Sequence, residues 1–441
     1  MLDKTNYGAT MNICMFTNTY LPHVGGVARS VHTFACDLRK RGHRVLVVAP
    51  SFPDASEEID PNVFRVPAVQ NFNGSDFSAR IPIPFLLKKS IDEFQPHLIH
   101  SHHPFLMGDA ALRTATRLGL PLVFTHHTLY ERYTHYVSID SAAMRRFVIN
   151  LSTHYANMCT TVVAPSISVA RLIKERGVIS PITEIPTGID LKFFQNGRGE
   201  LFRQNNSIDP SSPVMGHVGR LAPEKNLAYL AEAIVQVLKQ HSDSVFVVVG
   251  EGPSSTTIID KARSAGVKSR LVMAGSLTGA ALADAYCAMD LFVFASTSET
   301  QGMVLVEAMA AGMPVVAIDA PGAREVVKDR INGRLLPEDT TPDKFAQAAE
   351  ELFLDPAFRR NYSNEAARTA ARFSREASAE RLENLYIEAL EHEQPRLEKP
   401  EQESFVRWSR LLDSIKVEWE LLRKKAAAAA MAVKGEPPEN H

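Results

Sequence analysis

The chain of 441 residues has only four cysteines and two tryptophans. Cys14, Cys36, Cys159 and Cys287 are scattered and form no C-x-x-C pair, so no zinc site is expected. Cys14 lies in an apolar strand pattern and Cys36 on the apolar side of a helix pattern. Buried free thiols in a reducing compartment are the expectation. No apolar run of about 18 residues or more occurs, so no segment is expected to span a bilayer. Residues 1–10 (MLDKTNYGAT) are polar and lack the apolar core of a signal peptide. A cytoplasmic location follows, with any membrane contact peripheral to the inner face. Net charge is −2, too close to zero for a general attraction to nucleic acid. G-x-S-x-G and the P-loop are both missing, which leaves hydrolase and kinase readings without an anchor.

What is present is the composition of a globular protein, 45% hydrophobic and 22% charged, at a length that suits two domains plus a tail. Asn12–Thr17 is an apolar run, then a loop with Gly25 and Gly26, a helical pattern over Val27–Arg41, and a second buried run, Arg44–Ala49. This is the β–loop–α–β unit of a parallel sheet. Further strands are predicted at His97–His100, Leu122–Thr125 and Thr161–Ala164, with helices over Asp109–Leu118 and Ser166–Arg176. The pattern restarts near residue 213. Strands are predicted at Val214–Val218, Val245–Val249, Leu271–Ala274, Leu291–Phe294 and Pro314–Ile318, with a helix over Leu227–Gln240. Such continuous apolar strands suit sheets covered on both faces. Thr187–Ser212 reads as the linker. Ligands of open α/β sheets bind beyond the carboxyl ends of the strands, and the polar motifs sit there.

In the first motif, Glu299-Thr-Gln-Gly-Met-Val-Leu-Val-Glu307, two carboxylates follow the strand Leu291–Phe294. Gly302 precedes a helix whose first N–H groups suit an anionic or polyhydroxyl ligand. Glu307, one to two turns inside, could accept from a diol such as ribose. The bland alternative is two solvated acids; the position just after a buried strand argues against it. In the second motif, Gly219-Arg220-Leu-Ala-Pro-Glu224-Lys225-Asn226, two cations in one loop can clamp a diphosphate, the arginine by a fork and the lysine as a point charge. In the third, Pro22-His-Val-Gly25-Gly26, the glycines would let backbone approach a ligand, or simply make a βα turn; G-x-G-x-x-G is not there. In the fourth, Thr125-His126-His127-Thr128, adjacent histidines have no acidic partner at metal spacing, and the pair His102-His103 ends another strand. No metal site is expected.

On these residues the chain resembles the retaining glycosyltransferases of family four. E-x7-E is their motif, and the flanks match: Ser296-Thr297-Ser298 before it, Ala308-Met309-Ala310-Ala311-Gly312-Met313-Pro314 after it, then Gly322-Ala323-Arg324-Glu325 and Asn332-Gly333-Arg334. The resemblance covers roughly residues 11–390. It implies the GT-B fold: two doubly wound α/β Rossmann-like domains facing across a cleft, here followed by a helical C-terminal tail. The implied domains are 1–195 for the acceptor, 196–375 for the nucleotide-sugar, a helix at 376–392 crossing back to the N-terminal domain, and a tail at 393–441. Arg220 and Lys225 would hold the diphosphate, Glu307 the ribose, and Glu299 with the backbone of Gln301, Gly302, Met303 and Val304 the sugar. His127 matches the histidine that contacts the sugar near its reacting carbon. Gly25 and Gly26 would face the phosphates, and Glu251 and Leu277 the base. The metal-binding D-x-D of many glycosyltransferases is missing, and the two cations can replace it. The reaction implied is metal-independent, cofactor-free transfer of a hexose with retention, the nucleotide-sugar (UDP-glucose or similar) being a co-substrate. The rival classes are a sugar-nucleotide epimerase and a non-catalytic sugar-nucleotide sensor.

The segment Leu129-Tyr130-Glu131-Arg132-Tyr133-Thr134-His135-Tyr136 is similar to the tyrosine-rich run of the bacterial diacylglycerol glucosyltransferases of that family, departing from it at Arg132. Tyr130, Tyr133, His135 and Tyr136 are the candidate acceptor contacts. A lipid acceptor and an anionic membrane surface are the partners this implies; a soluble sugar or sugar-phosphate acceptor is the alternative. Ile81–Lys89 combines apolar residues with Lys88-Lys89, which suits an interface, or packing within the N-terminal domain. Phe405–Lys425 reads as an amphipathic helix carrying both tryptophans, Trp408 and Trp419.

Overall fold

The structure is a computed structural model that describes residues 10–22, 25–51, 60–69, 79–80, 84–132, 142–297, 299–353 and 355–393. Its contacts divide the chain into two compact units, one of residues up to Thr187 and from Ser378 on, the other Gly188–Ala377.

The first unit is built on β1 (Asn12–Phe16), β2 (Arg44–Pro50), β3 (Val63–Val66), β6 (Leu98–Ser101), β7 (Leu122–Thr125), β8 (Thr161–Ala164) and β9 (Ile182–Glu184), with a two-stranded pair β4 (Ala68–Val69) and β5 (Ala79–Arg80) apart from them. The seven lie in the order β3-β2-β1-β6-β7-β8-β9. Every pairing is parallel. The central strands are apolar on both faces, and their alternate residues enter two separate cores. One core is completed by Leu382, Leu385, Tyr386 and Ala389 of the helix Arg375–Glu393, so a segment remote in sequence closes one face of this sheet. Glu383 of that helix pairs with Arg41 and, at 2.8 Å, with His43. Leu87, on the helix Pro84–Phe94, is buried in the other core, while Lys88 and Lys89 stay exposed. The interfacial reading of Leu87 therefore gives way to packing, for which burial of the side chain is reason enough.

The second unit contains β10 (Val214–Val218), β11 (Val245–Val249), β12 (Leu271–Gly275), β13 (Leu291–Phe294), β14 (Val315–Ile318) and β15 (Gly333–Leu336), in the order β12-β11-β10-β13-β14-β15. All neighbours are parallel here too. The stretch read as a linker is folded: helices Leu191–Gln195 and Gly199–Asn205 place Phe194, Phe202 and Ile208 in this unit's core. The two glycines at the junction of those helices, Gly197 and Gly199, mark close packing rather than slack chain. A Cβ on Gly197 would come within 2.2 Å of the Ala283 carbonyl oxygen, and one on Gly199 within 2.2 Å of that of Cys287. Residues 188–195 thus belong with the second unit. The four cysteines are all free; Cys14 and Cys159 are buried, Cys36 and Cys287 half-buried.

Candidate active site

In a doubly wound sheet the two strands that flank the reversal of strand order leave a crevice at their carboxyl ends. In the second unit those strands are β10 and β13, and the loops that leave them carry Arg220, Lys225 and Glu299. Lys225 Nζ donates to Glu299 Oε1 at 2.5 Å, across 74 residues of sequence. Both side chains keep some exposure, 15% and 21%, so the pair can be reached and exchanged for ligand. Arg220 is exposed on the same loop. The loop expected to clamp the diphosphate and the first carboxylate of the E-x7-E motif are therefore neighbours.

The two turns assigned to the base adjoin this loop. Gly250 and Gly252 follow β11, and a Cβ on them would lie 1.9 Å from the Gly219 carbonyl oxygen and 2.3 Å from that of Leu221. Only glycine allows that approach. The Leu221 N–H donates to the Glu251 carbonyl at 2.9 Å, and the Gly250 N–H to the Gly275 carbonyl at 2.7 Å. Glu251 is exposed and Leu277 half-buried. Loops from β10, β11 and β12 are laced by backbone into one rim.

Beyond β13, Gly302 takes a left-handed conformation (φ 70°) and starts the helix Met303–Ala310. Gln301 is buried; Met303 and Val304 are half-buried. Gly322 backs this turn with φ +83°, and a Cβ there would meet Glu299 Cβ at 2.9 Å and the amide nitrogens of Gln301 and Gly302 at 3.0 Å. Glu307 is wholly buried, and the Tyr286 O–H donates to its Oε2 at 2.8 Å. The sequence reading missed Tyr286, which looked like one more apolar residue of its helix. It also missed His217, the buried fourth residue of β10. Its Nδ1–H donates to the Val293 carbonyl at 3.1 Å, while its Nε2 has no partner among the described residues. Burial pulls its pKa down to about 4, with Lys225 adding to the effect and Glu299 opposing it, so the ring is neutral at physiological pH.

The corresponding reversal in the first unit lies between β1 and β6, where Asn18, His102 and His103 sit. The Asn18 N–H donates to His103 Nδ1 at 3.1 Å. His102 Nδ1 and His127 Nε2 share a proton at 2.9 Å, and the rings stack with centroids 5.2 Å apart. His100 spans Thr125 Oγ1 (2.7 Å) and the Tyr386 hydroxyl (2.6 Å). Burial pulls His100 and His103 down to about 3 and His126 to about 4. It holds His102 and His127 well below the ordinary histidine range, with their histidine neighbours adding to it. His127 is half-buried and His126 buried. The rings are neutral hydrogen-bonding groups, not cations. Gly25 and Gly26 open the helix Gly26–Lys40, and a Cβ placed on Gly26 would meet nothing within 4 Å among the described residues beyond its own turn of chain. Tyr130 is buried with its ring edge-on to Phe105 at 5.1 Å. Glu131 pairs with Arg176 at 2.7 Å. Tyr133, His135, Tyr136 and the segment expected to be the tail helix, with Trp408 and Trp419, lie outside the described residues. Among the described residues, no helix is long and apolar enough to cross a membrane.

Comparison with known proteins adds the following. The profile of the family described as "Glycosyltransferase Family 4" matches residues 24–193, and that of "Glycosyl transferases group 1" matches residues 199–369. The chain is similar to the alpha-monoglucosyldiacylglycerol synthase of Streptococcus pneumoniae, at 30% identity over 74% of this chain and 75% of the relative. It is similar to the GDP-mannose-dependent alpha-mannosyltransferase of Mycobacterium tuberculosis, at 31% identity over 77% of this chain and 89% of the relative. Its fold is like that of HepE from Anabaena, solved in complex with UDP, with TM-score 0.69 and 19% identity over 85% of this chain and 99% of that one.

Proposed function

The chain belongs to the family 4, group 1 glycosyltransferases and so uses a nucleotide-sugar, and on that premise we propose that it transfers a hexose, with retention and without a metal, to the hydroxyl of a diacylglycerol-type lipid. The observation that carries the site is the Lys225–Glu299 pair at the strand-order reversal. Arg220 and Lys225 take the diphosphate and oppose the charge that grows on it as it leaves. Glu307 accepts from the ribose, and Glu299 turns from Lys225 to the sugar hydroxyls. The bond from the anomeric carbon to the phosphate oxygen breaks, and the bond to the acceptor oxygen forms on the same face. The acceptor proton passes to the departing phosphate oxygen. No protein nucleophile is needed, unlike the paired carboxylates of retaining glycosidases. Independence of metal is supported by the missing D-x-D together with the two cations of one loop.

Two readings of the donor and acceptor have support. A glucosyl donor and a lipid acceptor agree with the diacylglycerol synthase relative; a GDP-mannose donor agrees with the mannosyltransferase relative. A thermal-shift panel of UDP-, GDP- and ADP-sugars separates the donors, since a ligand at about 100 times its Kd stabilises by about 2.7 kcal/mol. Transfer to diacylglycerol or to soluble sugars, with and without excess EDTA, then tests acceptor and metal. Loss of activity in EDTA restored only by Mg²⁺ or Mn²⁺ overturns the metal-free reading. The membrane reading draws on exposed Lys88 and Lys89 and on the basic, tryptophan-bearing tail sequence. Cationic residues near an anionic surface contribute about 1 kcal/mol each. Deletion of residues 400–441 is expected to reduce flotation with anionic vesicles and leave donor binding intact. A full-length protein that ignores such vesicles at low salt removes the membrane reading.

A further inference from the structure

A carboxylate wholly out of water is costly unless hydrogen bonds hold its charge. Glu307 is in that position, at 0% exposure, and so is Tyr286, 21 residues earlier on the helix Gly279–Cys287. The tyrosine's one proton can go to Glu307 Oε2 at 2.8 Å or to the Val304 carbonyl at 3.5 Å. The shorter, charge-assisted bond takes it. The ring cannot swing away. Phe194 meets it edge-on with centroids 5.4 Å apart, and Phe292 lies 5.9 Å off on another side. A rigid phenol therefore fixes one contact of Oε2 and so constrains how the carboxylate is turned.

We propose that Tyr286 is a positioning residue that aims the Glu307 carboxylate and thereby sets this enzyme's preference for a ribose over a 2′-deoxyribose nucleotide. The inference rests on the reading of Glu307 as the ribose acceptor. Both hydroxyls of a ribose can donate to one carboxylate only if its plane is turned toward them. A carboxylate free to rotate loses one of the two bonds, and the 2′-hydroxyl then adds little affinity. A purely structural tyrosine would behave differently. Its loss would loosen the pocket and weaken ribo- and deoxyribonucleotide binding alike, leaving their ratio unchanged.

The test is calorimetric titration with UDP and 2′-deoxy-UDP, and with GDP and 2′-deoxy-GDP, on wild type, Tyr286→Phe, Glu307→Gln and the double variant. Phenylalanine keeps the ring packing and removes only the hydroxyl. The readout is a ratio of two dissociation constants on one preparation, so a partly unfolded fraction does not distort it. For the base that binds, wild type is expected to prefer the ribonucleotide by about tenfold or more, the size of one hydrogen bond to a charged group. Tyr286→Phe and Glu307→Gln should each reduce that preference to about threefold or less, and the double variant should lose no more than either. If Glu307→Gln abolishes the preference and Tyr286→Phe keeps it, the positioning role is wrong and the ribose reading stands. If Glu307→Gln keeps the wild-type preference, the ribose reading of Glu307 falls, and this inference with it.

Discussion

At the scale of single residues, the pair Lys225–Glu299 ties two functions together. In the structure each occupies the other, at 2.5 Å. On the proposed roles, donor binding exchanges one contact for two: Lys225 to phosphate, Glu299 to sugar. Glu299→Gln removes the competition for the ammonium while spoiling the sugar contact. It is therefore expected to lower kcat yet leave nucleoside diphosphate binding as tight as wild type or tighter; a weaker nucleoside diphosphate complex sinks the exchange. Arg220→Ala has no such compensation. Loss of one preorganised donor to developing charge costs about 2.7–4 kcal/mol, or roughly two to three decades in kcat at saturating donor. Wild-type turnover in that variant would remove Arg220 from the clamp. These residues were legible in the sequence because the chemistry needs particular charged types just after buried strands, and charge in such a place stands out. Tyr286 and His217 were not. A tyrosine or histidine inside an apolar pattern reads as core, and only the geometry reveals an O–H aimed at Glu307 or an Nε2 left over beside Gly219.

At the scale of elements, the strands with an unbroken apolar run were legible and those without one were not. β1, β2, β6, β7 and β8 in one sheet and β10 to β14 in the other fall within a residue or two of their predicted places. All but β12 are buried almost throughout, which leaves unbroken apolar runs; β12, at a sheet edge and mostly half-buried, still carries one in LVMA. β3, β9 and β15 sit at sheet edges and went unpredicted. VFRV and ITE are mostly half-buried, and GRLL opens on a glycine, so none carries an apolar run. The glycine after β14 makes the element-scale prediction. Gly322→Ala forces a side chain onto the Glu299–Gly302 turn and into a left-handed backbone. Gly266→Ala is the control, with φ +74° but nothing within 4 Å of the added Cβ. Both variants should lose about 1–2 kcal/mol from the left-handed conformation alone. Only Gly322→Ala should also raise the donor KM severalfold, because only there is a ligand loop displaced. Equal donor KM values in the two variants would show that Gly322 does not shape the site.

At the scale of the molecule, the two units differ in what acid does to them. The first buries His100, His102, His103 and His126 and half-buries His127; the second buries His217. Among the described residues, Arg176 lowers His126 and Glu131 raises it. Otherwise the histidines act on one another, each disfavouring protonation of the next. Each ring has a folded pKa below its unfolded value of about 6.5. As pH falls, the unfolded chain takes up its protons first. The stability that comes from neutral burial is complete above about pH 6.5. It is lost progressively toward pH 3 to 4, the range to which burial pulls His100, His103, His126 and His217. Each ring adds a slope of up to about 1.4 kcal/mol per pH unit within that window. With several such rings against one, the first unit should fail first. Amide hydrogen exchange at pH 7.5, 5.5 and 4.5, corrected for intrinsic rates, reads this directly. Protection should fall in peptides spanning β6 and β7 at a pH where those spanning β10 and β13 still hold theirs. The buried chain His100–Tyr386 ties the C-terminal helix to the same fate, so peptides covering Leu382–Ala389 should lose protection together with β6. If the second unit opens first, or if protection is the same at pH 7.5 and 4.5, the buried histidines are not what limits this protein in acid.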